Sequence, residues 1–205
     1  LTVILSSADL LRRSAAPEQE AYIDNIQAES RRMRSLVEDM LTLFRAQKSA
    51  GTLPDTTADV SETAVTAALR FEPVAFEAGR QLSYDIDEGI TVTGSRDQLQ
   101  QVAGVLLDNA IKYAPQGAGV HMTLTQAERK AVLTVENGGP PIPPEVLPHL
   151  FDRFYRADGS RTQGGFGLGL SIAQAIVREH KGTIRCESDR RSTRFIVTLP
   201  AGGKK

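Results

Sequence analysis

The stretch Gly164-Gly165-Phe166-Gly167-Leu168-Gly169-Leu170 opens directly onto an apolar helical pattern that runs from Leu170 to His180. A glycine-rich turn at a helix N-terminus presents backbone N–H donors and the positive end of the helix dipole, which together suit a phosphate. The glycines also let the backbone approach a ligand closely. The spacing is not G-x-G-x-x-G, no strand leads into it, and it does not end in GK[ST], so neither the dinucleotide turn nor the Walker A loop is satisfied. Taken alone, such a turn is equally a flexible connection, and its neighbours must decide.

Three further blocks precede it. Leu106-Leu107-Asp108-Asn109-Ala110-Ile111-Lys112-Tyr113 places an amide and an ammonium close together on an otherwise apolar helix, predicted over Asp97 to Ala114 and stopped by Pro115. Val135-Glu136-Asn137-Gly138-Gly139-Pro140-Pro141-Ile142-Pro143-Pro144-Glu145 follows a strand-like run. Leu150-Phe151-Asp152-Arg153-Phe154-Tyr155-Arg156-Ala157-Asp158 completes the set. In this order and spacing the blocks resemble the N box, first glycine box, F box and second glycine box of bacterial sensor histidine kinases, whose nucleotide fold is shared with gyrase-type, heat-shock-chaperone and mismatch-repair ATPases. The resemblance covers roughly residues 59 to 200, and the run at Leu150 to Asp158 favours the histidine kinases among these branches.

The resemblance implies ATP and Mg²⁺ as ligands, and it implies roles residue by residue. Asn109 would hold Mg²⁺ through its side-chain oxygen, Lys112 would contact phosphate as a point charge, and Tyr113 would lie beside the nucleotide. Gly165, Gly167 and Gly169, with Leu168 and Leu170, would form a lid over the phosphates. Arg156 and Arg161 would stabilise charge on the transferred phosphoryl group. Phe151 and Phe154 would anchor the base of the lid. Asn137, Gly139 and Ile142 would line the adenine end, and Thr193 would support it with a hydroxyl. Two positions depart from the family pattern. Asn137 stands where the family has an Asp that accepts from the adenine amino group; an amide both accepts and donates, so a flipped Asn137 would weaken discrimination against guanine. Val105 stands where many relatives carry a further Asn.

Away from these blocks, elements alternate in type. Ser61 to Gly79 reads as a helix with Ser61 as N-cap. Gln81 to Ile86 and Ile90 to Thr93 read as strands joined by a turn at Asp87 to Gly89, and Val120 to Thr125 with Ala131 to Glu136 as a hairpin. Pro144 to Phe154 reads as a short helix, and Thr183 to Glu187 and Thr193 to Leu199 as closing strands. This order predicts a mixed sheet covered by helices on one face, an α/β two-layer sandwich within an α+β chain.

The first 48 residues differ. Leu1, Ile4, Leu5, Ala8 and Leu11 share one helical face; after Pro17, which suits a first helical turn, apolar residues recur at Tyr22, Ile26, Met33, Leu36, Met40 and Leu43. That pattern predicts an antiparallel helical hairpin, half of a dimeric four-helix bundle. It resembles the dimerisation and phosphotransfer hairpin of the same kinases, whose acceptor histidine would lie upstream of Leu1, leaving no phosphoacceptor in this chain. The expected division is therefore a truncated hairpin at 1–48, a linker at 49–58, a catalytic domain at 59–200 and a tail at 201–205.

Composition is consistent with this and excludes other classes. The 205 residues are 40% hydrophobic and 24% charged, with a net charge of -1, which does not suit a nucleic-acid-binding surface. Cys186 is alone, so no intrachain disulfide forms. No apolar run approaches the ~18 residues of a membrane span. The chain starts at Leu1 without a signal peptide, and the expectation is a cytoplasmic fragment of a membrane-anchored parent. The three histidines, His121, His149 and His180, read as structural, none with the acidic neighbour that orients an acceptor imidazole, and His180 as a cation at a helix C-terminus. The expected reaction is transfer of the ATP γ-phosphoryl to a histidine and on to an aspartate of a response-regulator receiver domain. The rivals are a nucleotide-binding pseudokinase that acts by contact, and a gyrase-type hydrolase, which would need a Glu where Asp108 precedes Asn109.

Overall fold

The computed structural model describes residues 1–12, 16–48, 56–156 and 166–202. The chain divides into two compact units, Leu1–Phe44 and Arg45–Lys205.

The first unit is the expected hairpin, α1 (Thr2–Arg12) and α2 (Pro17–Lys48). Proline begins α2 because the N–H it lacks would have no intrahelical acceptor there. The contact between the helices is offset from the predicted stripe. Ala8, Ile23, Gln27, Ser30 and Leu43 are buried, whereas Tyr22, Ile26, Met33 and Met40 are exposed. A polar cluster sets this seam. Gln27 donates to Asp9 Oδ1 at 2.7 Å and accepts from Arg12 at 2.9 Å and Arg31 at 3.2 Å, and Arg12 also pairs with Asp24. One hairpin can bury only one side of each helix, so Tyr22, Ile26, Met33 and Met40 of the predicted stripe are exposed while Ala8 and Leu43 are buried.

The second unit is the two-layer sandwich. Its main sheet is mixed, in the order β2 (Gln81–Ile86), β4 (Gly119–Ala127), β5 (Lys130–Gly138), β7 (Ser192–Pro200), β6 (Thr183–Ser188). β2 runs parallel to β4, and the other pairs are antiparallel. Alternation along the strands sends Val120, Met122, Leu124, Leu133, Val135, Phe195, Val197 and Leu199 to one face, all buried. The helices α3 (Val60–Glu77), α4 (Arg96–Tyr113) and α5 (Gly169–Glu179) bring Ala64, Ala67, Ala68, Leu106, Leu107, Ala110, Ile172 and Ile176 to that core. The other face carries Ser83, His121, Glu136 and Arg194 around an open cleft of about 480 Å³.

Four local expectations are corrected. The strands read at 81–86 and 90–93 do not share a sheet: β3 (Thr91–Thr93) lies outside the main sheet and pairs antiparallel with β1 (Thr57–Asp59), whose first two residues were read as linker. The helix α3 is capped by Asp59, whose carboxylate accepts from Glu62 N at 2.8 Å. Ser61 is instead buried, donating to Asp87 O at 2.6 Å and accepting from Ile90 N at 3.0 Å. Between Pro144 and Phe154 only a 3-10 turn forms, at Leu147–His149, because Pro143, Pro144 and Pro148 remove donors and disfavour helical geometry in the residues before them. Finally, Ala201 and Gly202 are held by the Val92–Ala201 bridge and by Gly202 N donating to Thr91 O at 2.7 Å.

Candidate nucleotide-binding site

The helix α4 starts at the Ser95 cap and ends before Pro115. Its apolar positions Leu106, Leu107, Ala110 and Ile111 face the core. Helical spacing then puts Val105, Asn109 and Lys112 in one row along the opposite edge. Asn109 and Lys112 are half-buried, and Tyr113 is exposed, with Lys112 Nζ 5.3 Å from the Tyr113 ring centre. The ammonium of Lys112 is pushed below its usual range, first by loss of water around it and second by the nearby Arg156 cation, with Asp108 pulling the other way. Asp108 is pushed up by desolvation, opposed by Lys112. Arg156, from the F box, is near enough to the end of the N-box helix for its charge to act on the Lys112 ammonium.

The second glycine box meets the same face of α4. A Cβ on Gly169 would lie 3.3 Å from Val105 Cγ1, so the first residue of α5 packs against the row that holds Asn109. The departure at Val105 therefore fills the contact between the two helices. Gly167 has φ +71°, and a Cβ there would lie 2.6 Å from Tyr155 O. Phe154 N donates to Gly167 O at 3.0 Å. The junction of the F box and glycine box is consequently a backbone clasp. Phe154 itself has φ 62° and its ring is exposed, so its main chain, rather than its side chain, makes the tie.

Asn137 closes β5 on the core face, 5% exposed, in register with Thr193 on one side and Val120 on the other. Its Nδ2 donates to Gly138 O at 3.1 Å, which turns Oδ1 toward use as an acceptor. Gly139, at φ +151°, passes so near the end of α4 that a Cβ would lie 3.2 Å from Pro115 Cδ. Ile142 N donates to Ser188 Oγ at 2.9 Å, and Ser188 Oγ bonds Thr193 Oγ1 at 2.8 Å. Ser188 was missed in the sequence: nothing local marks a serine at the end of β6 as the link between the first glycine box and Thr193.

The structure thus gathers Asn109, Lys112, Arg156, Leu168, Gly169, Asn137, Gly139, Ile142 and Thr193 onto the helix side and strand ends of one unit. None of them lines the cleft on the opposite sheet face. Arg161, Gly164 and Gly165 lie outside the described residues. The histidines need correction. His149 Nδ1 pairs with Asp152 at 2.8 Å and His121 Nε2 lies 3.5 Å from Asp85, since strand register and the turn created acidic neighbours that sequence distance did not show. His180 is 3% exposed; it accepts from Ser95 N at 3.1 Å and donates from Nδ1 to Ile176 O at 2.8 Å, a pattern only the neutral ring satisfies.

A divalent cation fits this donor set in one limited way. Among the described residues no group of three or more His, Cys, Asp or Glu could hold a metal, and the half-buried amide of Asn109 is the one ligand the resemblance implies. Mg²⁺ keeps several waters and takes phosphate oxygens, so one protein ligand is compatible with binding through a nucleotide.

Comparison with known proteins agrees with the geometry. Residues 1–49 match the His Kinase A (phospho-acceptor) domain. The sensor protein DltS of Streptococcus agalactiae is 36% identical over 183 residues, spanning 89% of this chain and 46% of its own length. The chain therefore spans less than half of that relative. Full-length ShkA in complex with AMPPNP shares the fold, at a TM-score of 0.84 and 23% identity over 97% of this chain and 42% of that one. The histidine kinase ThkA in complex with response regulator protein TrrA matches at a TM-score of 0.71 and 25% identity, over 98% of this chain and 57% of that one. Residues 94–203, more than half of the sequence, match the histidine kinase-, DNA gyrase B- and HSP90-like ATPase model, and the chain belongs to that family.

Proposed function

We propose that this chain is the ATP-binding kinase core of a two-component sensor. It transfers the γ-phosphoryl of ATP to a histidine, which passes it to an aspartate on a response-regulator receiver domain. The observation that carries this reading is the row of Val105, Asn109 and Lys112 on α4 lying against Gly169, the first residue of α5, with the Arg156 charge acting on the Lys112 ammonium. Cations beside a helix N-terminus suit a polyphosphate, and the amides at the start of α5 add donors for it. The adenine end follows from the other side of the site, where Asn137 Oδ1 accepts from the exocyclic amino group and Thr193 is held by Ser188.

Mg²⁺, when bound through Asn109 and the phosphates, would supply neutralisation of the charge that develops on transfer. The rest is positioning. An imidazole nitrogen is already a nucleophile in its neutral form, so the chain needs to orient phosphate and shield charge more than to abstract a proton. None of the three histidines lies in residues 1–48, so the acceptor must come from outside this sequence.

The matched relatives and the kinase–regulator complex of ThkA support three further assignments. Residues 1–48 form the dimerisation hairpin, with its exposed apolar stripe covered by a second copy. Residues 59–200 form the catalytic domain, and a receiver domain is the downstream partner. No helix among the described residues is long and apolar enough to cross a membrane; a cytoplasmic position under a membrane-anchored parent is part of the same proposal.

Calorimetry of ATP with and without Mg²⁺, on the unsubstituted chain and Asn109→Ala, tests the reading. Mg²⁺-dependent binding that Asn109→Ala removes, followed by phosphoryl transfer to a separately supplied hairpin carrying the histidine, is expected. Binding without transfer would favour the pseudokinase, and no binding would end the nucleotide reading.

A further inference from the structure

The mechanism above uses the C-terminal end of α4 and the N-terminal end of α5. At their opposite ends these helices are fastened together by contacts that no part of that mechanism requires. Gly169 meets Val105 at the nucleotide end, while Gln98 Nε2 donates to Glu179 Oε2 at 2.9 Å at the far end, so the two helices run antiparallel. His180 completes the far-end contact. Its Nε2 accepts the Ser95 N–H, the residue that caps α4, and its Nδ1 donates to Ile176 O within α5. The ring is 3% exposed, and it fits only because residue 94 is glycine: a Cβ there would lie 2.1 Å from His180 Cδ2.

The Gln98 contact has one further property. Its Oε1 is buried with no hydrogen-bond partner among the described residues. A side chain that keeps an orphaned acceptor in order to hold Glu179 lowers stability relative to an apolar residue of the same size.

We infer that His180, with Gln98 and Glu179, is a positioning element that sets the axial register of α5 against α4 and so places the start of α5 relative to Asn109 and Lys112. This rests on the nucleotide reading above. The physical case is one of lever and tolerance. A helix advances 1.5 Å per residue, and a misplacement of about 1 Å at a reacting centre costs on the order of a hundredfold in rate. The hydrogen bonds at Ser95 and Glu179 are satisfied at one register only, and they add to the apolar packing between α4 and α5 in fixing it. The adenine end is built on β5, β6 and β7 through Asn137, Ser188 and Thr193, which do not touch this clamp.

Binding of ATP and of adenosine is measured by calorimetry on the unsubstituted chain, Gln98→Met and His180→Ala, with thermal melts on each. Adenosine reads the strand end of the site alone, and ATP reads both ends. The inference expects Gln98→Met to melt at or above the unsubstituted chain, to lose about tenfold in ATP affinity and to keep its adenosine affinity. His180→Ala is expected to show the same split with a larger loss. Parallel loss of both ligands, or unchanged ATP binding in Gln98→Met, would overturn it even if His180→Ala fails to fold. Absence of ATP binding by the unsubstituted chain would overturn the nucleotide reading, and the inference with it, a result distinct from either of the others.

Discussion

Lys112 carries an ammonium that the fold holds below its ordinary range, by desolvation and by Arg156. Bringing a polyphosphate beside it reverses the sign of its surroundings and raises the same pKa. Between the free and bound values the chain must then take up a proton as ATP binds. Calorimetry at alkaline pH in buffers of different ionisation enthalpy should show that uptake, and Lys112→Met should remove it while weakening ATP about tenfold to a hundredfold. In the free protein the depressed value has a consequence for stability as well: the charged ammonium costs stability below the folded pKa, and the cost fades as pH rises toward the unfolded value of 10.5. Asn137 supports a second expectation at this scale. One of its two amide hydrogens goes to Gly138 O, which orients Oδ1 as the acceptor, so ATP should bind more tightly than GTP, and Asn137→Asp, an acceptor only, should widen the gap in a competition assay. Equal competition by the two nucleotides would show that the amide flips, as its sequence chemistry allows.

At the scale of elements, capping and turns decide what the helices can do. Ser61 was read as the cap of α3, but the fold gives that task to Asp59 and makes Ser61 a tether. Asp59→Ala should cost about 1 kcal/mol in chemical denaturation as a lost N-cap. Ser61→Ala should cost about 1–3 kcal/mol, because it leaves the buried Ile90 N–H without its acceptor. The reverse order would show that the cap matters more than the tether. Gly167→Ala adds a Cβ where Tyr155 O stands at 2.6 Å, on a backbone at φ +71°. It should open the clasp with Phe154 and weaken ATP more than adenosine, with little effect on the melting of the sheet. The helix α4 shows how much of an element is legible in advance. Its end at Pro115 and its row of Asn109 and Lys112 were readable, since helical period and proline are local properties. The 3-10 turn at Leu147–His149 lies where a short helix was read, and Pro143, Pro144 and Pro148 are the local signal against that helix.

For the whole molecule, the exposed row Tyr22, Ile26, Met33 and Met40 is the surface left when one hairpin has used its other side. Replacing Ile26 and Met33 with Glu should shift the chain toward monomer in sedimentation measurements and leave the melting of the ATP-binding unit unchanged. A chain that is monomeric before substitution would sink the dimer assignment. Inside the hairpin, Gln27 with Asp9, Arg12 and Arg31 fixes which side is used, a choice the apolar pattern by itself misassigned.

The sequence by itself determined that this is a helical hairpin joined to a two-layer sandwich, through periodicity and through glycine and proline chemistry, which act within a few residues. That four motif blocks belong to one nucleotide site is what their resemblance to the sensor histidine kinases implies. Only the tertiary structure decided that β1 and β3 pair outside the main sheet, that the Arg156 charge acts on Lys112, that Ser188 links Ile142 to Thr193, and that His180 sits neutral beneath Gly94. Those relations join residues far apart along the chain. Strand register, helix packing and the hydrogen-bond needs of buried groups select them together, and no local pattern records the choice.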